Sequence, residues 1–387
     1  MSAPRQVQFV TPSELSLLRA ALLEESAATE AANSWLGQLR NAEARLGFRG
    51  LELASRRLLP LVYRNVKTSI APSLRDQLRQ VHHEYWADNQ KRFYRLQELL
   101  SWFEANDIPT LVLKGMALSR LYYRDMALRP TSDFDILVPE DRAPEVVRRL
   151  QREGWAATYY LPSAPKNSYF FRHTHAMPLT RPDYGDLDLH WHVLSHATFQ
   201  GADQPFWSGS VPLAVNTVQT RALNPTHQLL HVCVHGFSAN EMMPPIRWIA
   251  DAVTILRTSQ IEWASLVDLA RDLHVTIPLG ATLSFLRATF PTPIPEDAVE
   301  KLKAEQIDHA ERRYFERLVH YNADWREVLT YNLERLRRAN RDRHPILRAA
   351  FLPQQLQLHY NLSNLNALGS FALSRLGKRI RGGMGYL

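Results

Sequence analysis

Residues 110–138, TLVLKGMALSRLYYRDMALRPTSDFDILV, constrain the fold of this chain more than any other stretch. They open with a short apolar strand, Thr110 to Leu113, broken by Lys114-Gly115, and continue as a helix from Met116 to Tyr123. They close on Ser132-Asp133-Phe134-Asp135-Ile136-Leu137-Val138, a second strand carrying two carboxylates among apolar residues. Successive side chains of a strand point to opposite faces. Asp133 and Asp135 therefore share one face, with Phe134 and Ile136 turned to the core. Two neighbouring carboxylates call for a cation.

The flanking sequence sets this unit among helices. Up to about residue 106 the pattern is all-helical. Thr11-Pro12-Ser13-Glu14 reads as a capping box with proline at the first helical position, and Leu15, Leu17, Leu18 and Leu22 continue it. A second apolar pattern covers Leu51 to Val66. Pro72 opens a long helix, with Leu74, Leu78, Val81, Tyr85, Leu96, Leu99 and Phe103 at helical spacing, until Asn106-Asp107-Ile108-Pro109 stops it. His82 and His83 ride on that helix as surface residues.

Beyond the acidic strand, a helix over 143–153 faces Val146, Val147 and Leu150 inward and ends at Gly154. Strands are expected over 155–161, over 168–180 through the alternation Phe171, His173, His175, and over 185–193. The last, GDLDLHWHV, again puts carboxylates, Asp186 and Asp188, on one face. From Asn224 the pattern is helical to about residue 381, broken at Pro291-Thr292-Pro293-Ile294-Pro295. The expected fold class is α+β, with strands and helices over 107–220 between an N-terminal helical region (1–106) and a C-terminal helical domain with a basic tail (221–387).

Strand, Lys-Gly turn, helix, Asp-x-Asp strand, helix and a third acidic strand, with Asp188 53 residues after Asp135, form a constellation with a chemical logic. Nucleotidyl transfer uses two divalent ions, one lowering the pKa of an acceptor hydroxyl and the other neutralising the triphosphate and departing pyrophosphate. Mg²⁺ takes a few carboxylate oxygens plus phosphate and water. Asp133 and Asp135 would bind both ions, and a carboxylate of the third strand the acceptor-side ion. The strand period cannot choose between Asp186 and Asp188. His190 and His192 share that face, so a carboxylate-plus-imidazole transition-metal site also fits the spacing.

These residues resemble the nucleotidyltransferase superfamily of DNA polymerase beta type. More narrowly, the chain resembles a family of uncharacterised bacterial nucleotidyltransferases through Leu113-Lys114-Gly115, Arg129 with Ser132-Asp133-Phe134-Asp135-Ile136-Leu137-Val138, and Asp188-Leu189-His190-Trp191. The likeness extends to His227-Gln228-Leu229-Leu230-His231, Arg247-Trp248-Ile249-Ala250-Asp251 and Glu262-Trp263, covering about residues 95–290. It implies a polymerase-beta-like core, a mixed sheet with flanking helices, and a helical domain closing one side of a nucleotide cleft. It implies Asp188 as the third carboxylate, and Lys114, Gly115, Arg129 and Ser132 at the phosphates of an NTP held with Mg²⁺ or Mn²⁺. The acceptor, whether a small molecule or sugar, RNA or a protein, stays open. So do two other readings: an Asp-x-Asp glycosyltransferase acting on a sugar nucleotide, and a nucleotide-binding scaffold without turnover.

Composition narrows the setting. The single cysteine, Cys233, cannot form an internal disulfide or a Cys-x-x-Cys zinc site, and suits a reducing compartment. No stretch reads as a secretory signal or a run of 18 apolar residues, so a cytoplasmic protein is expected. The +7 charge, from 46 basic against 39 acidic side chains, admits nucleotide, RNA or acidic-lipid partners without selecting one. His227, His231 and His235 would line one helical face, and Arg247 and Asp251 would form an internal ion pair. The tail Ser374–Arg381 would suit an acidic partner or a membrane surface.

Overall fold

The computed structural model describes residues 9–38, 47–157, 167–238, 246–303, 307–319, 325–340, 350–360, 362 and 365–367. The basic tail and most of the strand expected over 155–161 lie outside them. The described chain is α+β. Its strands, β1 (Leu111–Val112), β2 (Asp133–Leu137), β3 (Ala156–Ala157), β4 (Ala176–Arg181), β5 (Gly185–His190), β6 (Val211–Val215) and β7 (Val218–Ala222), follow the order β3-β4-β5-β2-β1-β7-β6 in a seven-stranded sheet. The sheet is mixed: β1 runs antiparallel to β2 and parallel to β7.

The chain groups into two compact units, Met1–Leu137 with Gln204–Glu311, and Val138–Asp203 with Arg312–Leu387. The first begins with helices, as expected. Thr11 caps the helix Pro12–Leu22, its hydroxyl accepting from the Glu14 N–H at 3.3 Å while the Glu14 carboxylate accepts from the Thr11 N–H at 2.7 Å. Asn65, on the helix Leu59–Val66, closes the other end of that helix by donating to the Ala21 and Leu23 carbonyls. The helix Pro72–Ala105 buries Leu78, Val81, Phe93, Leu96, Leu99 and Phe103 along one stripe. His83 is exposed, whereas His82 is half-buried and pairs with Asp125 at 2.7 Å.

The β6–β7 hairpin is absent from the strands expected above, yet its signal is present. Val211, Leu213 and Val215 alternate before a two-residue turn, Asn216-Thr217, across which Val215 faces Val218. Asn216 takes φ +50°, a conformation asparagine tolerates better than most residues. Pro212 sits in β6, the edge strand, where its missing N–H costs no ladder bond. Helices follow from Pro225, interrupted between Thr289 and Glu296 at the expected proline cluster.

In the second unit the helix Ala143–Arg152 buries Val146, Val147 and Leu150 and gives way to Gly154 at φ +88°. The strand expected over 168–180 is half wrong: Asn167–His173 is a helix, and β4 starts only at Ala176. Packing overrides β-propensity here. Phe170 and Phe171 are both buried against Trp191, and the Trp191 indole N–H donates to the Phe171 and Thr174 carbonyls at 2.7 Å. β5 likewise ends at His190, three residues early, because Asp203 takes the Val193 N–H and the His192 Nδ1.

His173 is buried, its Nδ1 on the Tyr169 carbonyl and its Nε2 on the Asn340 amide, both at 2.9 Å. Burial holds its pKa down to about 4, so it is neutral in the fold. Between its ordinary pKa and 4 the unfolded chain binds the extra proton, so its contribution, complete at neutral pH, is lost as pH falls through that window. Urea midpoints are expected to decline from pH 6.5 to 4, and His173→Gln to flatten that slope.

Candidate active site

The site is built around β2. Leu113 donates its N–H to the Asp135 carbonyl at 2.8 Å, and Val138 donates to the His190 carbonyl at 2.9 Å, so the backbone on both sides of Asp135 is fixed. Phe134 and Ile136 are buried, as the alternation requires. Asp133, at the strand start, is half-buried, while Asp135 is only 2% exposed. A buried carboxylate needs a partner. Here the Lys114 ammonium lies 2.7 Å from its Oδ1.

Asp135 lies on β2 in the first unit, and Asp188 and His190 lie on β5 in the second. Carboxylate oxygens suit Mg²⁺ or Mn²⁺, and an imidazole nitrogen suits softer divalent ions. The ammonium on Asp135 shows that this carboxylate accepts positive charge. The Asp133 Oδ1 accepts from the Ser132 hydroxyl at 2.9 Å. Asp186 is exposed, two residues before the half-buried Asp188. In Asp188-Leu189-His190-Trp191 the strand alternation separates two roles. Asp188 and His190 share one face, whereas Leu189 and Trp191 are fully buried core.

Lys114, not the glycine, takes the left-handed conformation, φ +44°, which an L side chain adopts at a cost. The helix Lys114–Leu121 starts there with no side-chain cap, leaving its first N–H groups for another acceptor. A Cβ on Gly115 would come within 3.2 Å of the Thr131 methyl group and 3.4 Å of the Arg129 Nη1. A side chain there would make the Thr131 methyl group give by a few tenths of an ångström, so glycine suits the turn's packing on the segment leading into Asp133.

That segment is held by residues which the sequence pattern does not mark as a site. Asn89, buried in the middle of the long helix, donates to the Met126 and Arg129 carbonyls at 2.6 and 2.9 Å. Its carbonyl accepts from the Thr131 N–H and hydroxyl at 3.1 and 2.8 Å. An asparagine at an apolar position of the helical stripe is the signal that could have found it. Asn89→Ala strands four polar groups and is expected to destabilise the fold by about 3 kcal/mol, read from denaturant midpoints.

Arg129 is also a correction. It is 4% exposed, and its Nε and Nη2 form a two-pronged pair with Asp251 at 2.6 and 2.8 Å, while its Nη1 donates to the Pro130 carbonyl. The Tyr123 hydroxyl donates to the same Asp251 at 2.8 Å. Arg129 therefore positions the loop before Asp133, and its donors are turned to the interior. The ion pair expected between Arg247 and Asp251 is replaced by this one, and Arg247 Nη1 reaches the Pro130 carbonyl at 2.9 Å. Of the histidines on the helix Pro225–Ser238, His227 and His231 are buried and His235 is exposed.

The sequence model of a family described as uncharacterised nucleotidyltransferase matches residues 52–291, more than half of the chain. The chain belongs to that nucleotidyltransferase family. The match takes in every site residue named above, from Asn89 to Asp251. No curated protein matches. Solved structures similar to the chain include a lincosamide antibiotic adenylyltransferase with lincomycin bound, at 17% identity, covering 35% of this chain and 83% of that one with a TM-score of 0.26. An antigenic nucleotidyltransferase-like protein from Paracoccidioides brasiliensis is 15% identical, over 56% of this chain and 93% of its own length, with a TM-score of 0.34. Among the described residues no helix is long and apolar enough to cross a membrane.

Proposed function

We propose that this family member transfers a nucleoside monophosphate from an NTP to an acceptor hydroxyl, releasing pyrophosphate. The observation that carries the reading is the Lys114 ammonium seated on the buried Asp135 of the Asp133-Phe134-Asp135 strand, beside the Gly115 turn. Asp135, Asp188 and His190 would hold a divalent ion, Mg²⁺ or Mn²⁺, and Asp133 would join when nucleotide is present. Such an ion supplies charge neutralisation for the phosphates and a lowered pKa for the acceptor hydroxyl.

The residues do the rest. Lys114 exchanges its contact with Asp135 for the phosphates, and the uncapped N–H groups from Gly115 onward point positive dipole charge at the same anion. The acceptor oxygen bonds to the α-phosphorus, the bond from that phosphorus to the bridging oxygen breaks in line, and pyrophosphate leaves. The hydroxyl proton passes to the Asp188 carboxylate. Ser132 holds Asp133 in place through its hydroxyl. A cytoplasmic location accords with the lone buried thiol of Cys233.

A second reading, nucleotide binding without turnover, draws on the Lys114 ammonium already seated on Asp135. Incubation with each α-labelled NTP, Mg²⁺ or Mn²⁺, and fractions of small metabolites, RNA and protein distinguishes them. Transfer of label into one fraction is the expected result and names the acceptor class. Nucleotide binding with no transfer into any fraction favours the second reading.

A further inference from the structure

Three arginines surround the segment that leads into Asp133, and none has a carboxylate of its own. Arg247 Nη1 donates to the Pro130 carbonyl at 2.9 Å, and Arg92 Nη1 donates to the Ser132 carbonyl at 2.6 Å. Two guanidinium groups from two helices thus bracket Thr131. Arg57 brings a third charge, close enough to interact with Arg129, Asp133 and Arg92, and among the described residues its guanidinium makes no hydrogen bond. All three side chains are half-buried. Among the described residues no carboxylate lies within 4.0 Å of any of them. Asp251 is committed to Arg129, and the Arg92 Nε is buried with no hydrogen-bond partner.

Like charges held together and partly out of water repel. Burial and then Arg129 pull the Arg247 pKa down to about 9, and the same two causes, in the same order, lower Arg57. Such an array is stable only with an anion to face. Guanidinium forks pair with phosphate oxygens two at a time, which suits a ligand with several of them. A phosphate monoester carries about two negative charges, and a polyphosphate carries more. Three guanidinium groups that no carboxylate pairs directly, with Asp133 as a more distant counter-charge of Arg57 and Arg247, match the latter.

We infer that Arg57, Arg92 and Arg247 form a subsite for the polyphosphate of the NTP and for the pyrophosphate that leaves. This rests on the nucleotidyl-transfer reading and moves the arginine contribution from Arg129, which faces Asp251, to three side chains that do not. Arg92 and Arg247 also fix the Pro130–Ser132 backbone, so anion binding and the position of Asp133 are tied together.

Calorimetric titration with inorganic pyrophosphate and, separately, inorganic phosphate, without added metal, tests the subsite. Wild-type protein is expected to bind pyrophosphate at least about tenfold tighter than phosphate. Arg57→Gln, which removes no hydrogen bond, should weaken pyrophosphate about tenfold, Arg57→Lys should restore most of it, and Arg79→Gln, on the exposed surface, should change nothing. Equal pyrophosphate affinity in wild type and in Arg57→Gln overturns the inference. Phosphate binding as tight as pyrophosphate also overturns it, and gives the cluster to a phosphate monoester on the acceptor. These titrations need no turnover, so they stand apart from the label-transfer result. Transfer with unchanged pyrophosphate affinity sinks the subsite alone, and the expected affinities without transfer sink only the reaction.

Discussion

Asp135→Asn is expected to lower pyrophosphate release about a thousandfold or more while leaving the protein folded. The amide has the shape of the carboxylate but no charge, and Asp135 is a buried carboxylate, only 2% exposed. Its loss removes one donor from the proposed ion and leaves Lys114 facing an amide instead of its counter-charge. Mn²⁺ affinity, followed by electron paramagnetic resonance of the free ion, should fall with activity. Asp133→Asn should cost less metal affinity, because Asp133 is half-buried and its Oδ1 already accepts from the Ser132 hydroxyl. Asp186→Asn should behave as wild type on both counts, since its side chain is exposed on the same strand face. Wild-type metal affinity in Asp135→Asn would remove Asp135 from the mechanism.

Asp251→Asn is expected to be the most destabilising single change at the site, by about 3–5 kcal/mol in urea denaturation. The carboxylate takes two bonds from Arg129 and one from the Tyr123 hydroxyl, all in the interior. Its charge is also the one that offsets Arg129 beside Arg57 and Arg247. Removing it leaves a buried guanidinium among like charges, a worse outcome than breaking an isolated pair. Arg129→Met combined with Asp251→Leu removes both charges and should recover part of the stability, since an apolar replacement of a buried pair is often tolerated. A double variant as unstable as Asp251→Asn would mean that the loop depends on the hydrogen bonds of Arg129 to Pro130 and Asp251 and not on charge balance.

Much of this was legible in the residues, and the gaps have physical reasons. Period-two alternation placed Phe134 and Ile136 in the core and the aspartates on the opposite face, and the capping box at Thr11 is read directly. Alternation says which side chains share a face but nothing of which strand lies beside which. The 167–173 helix escaped because the alternation Phe171, His173, His175 also fits a helix whose rings pack on Trp191. Arg129 precedes the acidic motif in sequence and reads as a phosphate ligand. Its true partner, Asp251, lies 122 residues away and is invisible without the fold. The left-handed conformation of Lys114 carries no signal in the sequence, because lysine rarely adopts it.

The most direct test of nucleotidyl transfer is pyrophosphate release from each of the four NTPs with Mg²⁺ or Mn²⁺, comparing wild type with the Asp133→Asn/Asp135→Asn double variant. Total RNA and a metabolite extract are supplied as acceptors. Release from at least one NTP, dependent on the metal and absent in the double variant, is the predicted result. Wild-type protein that binds nucleotide and metal yet releases no pyrophosphate with any NTP or acceptor would contradict it.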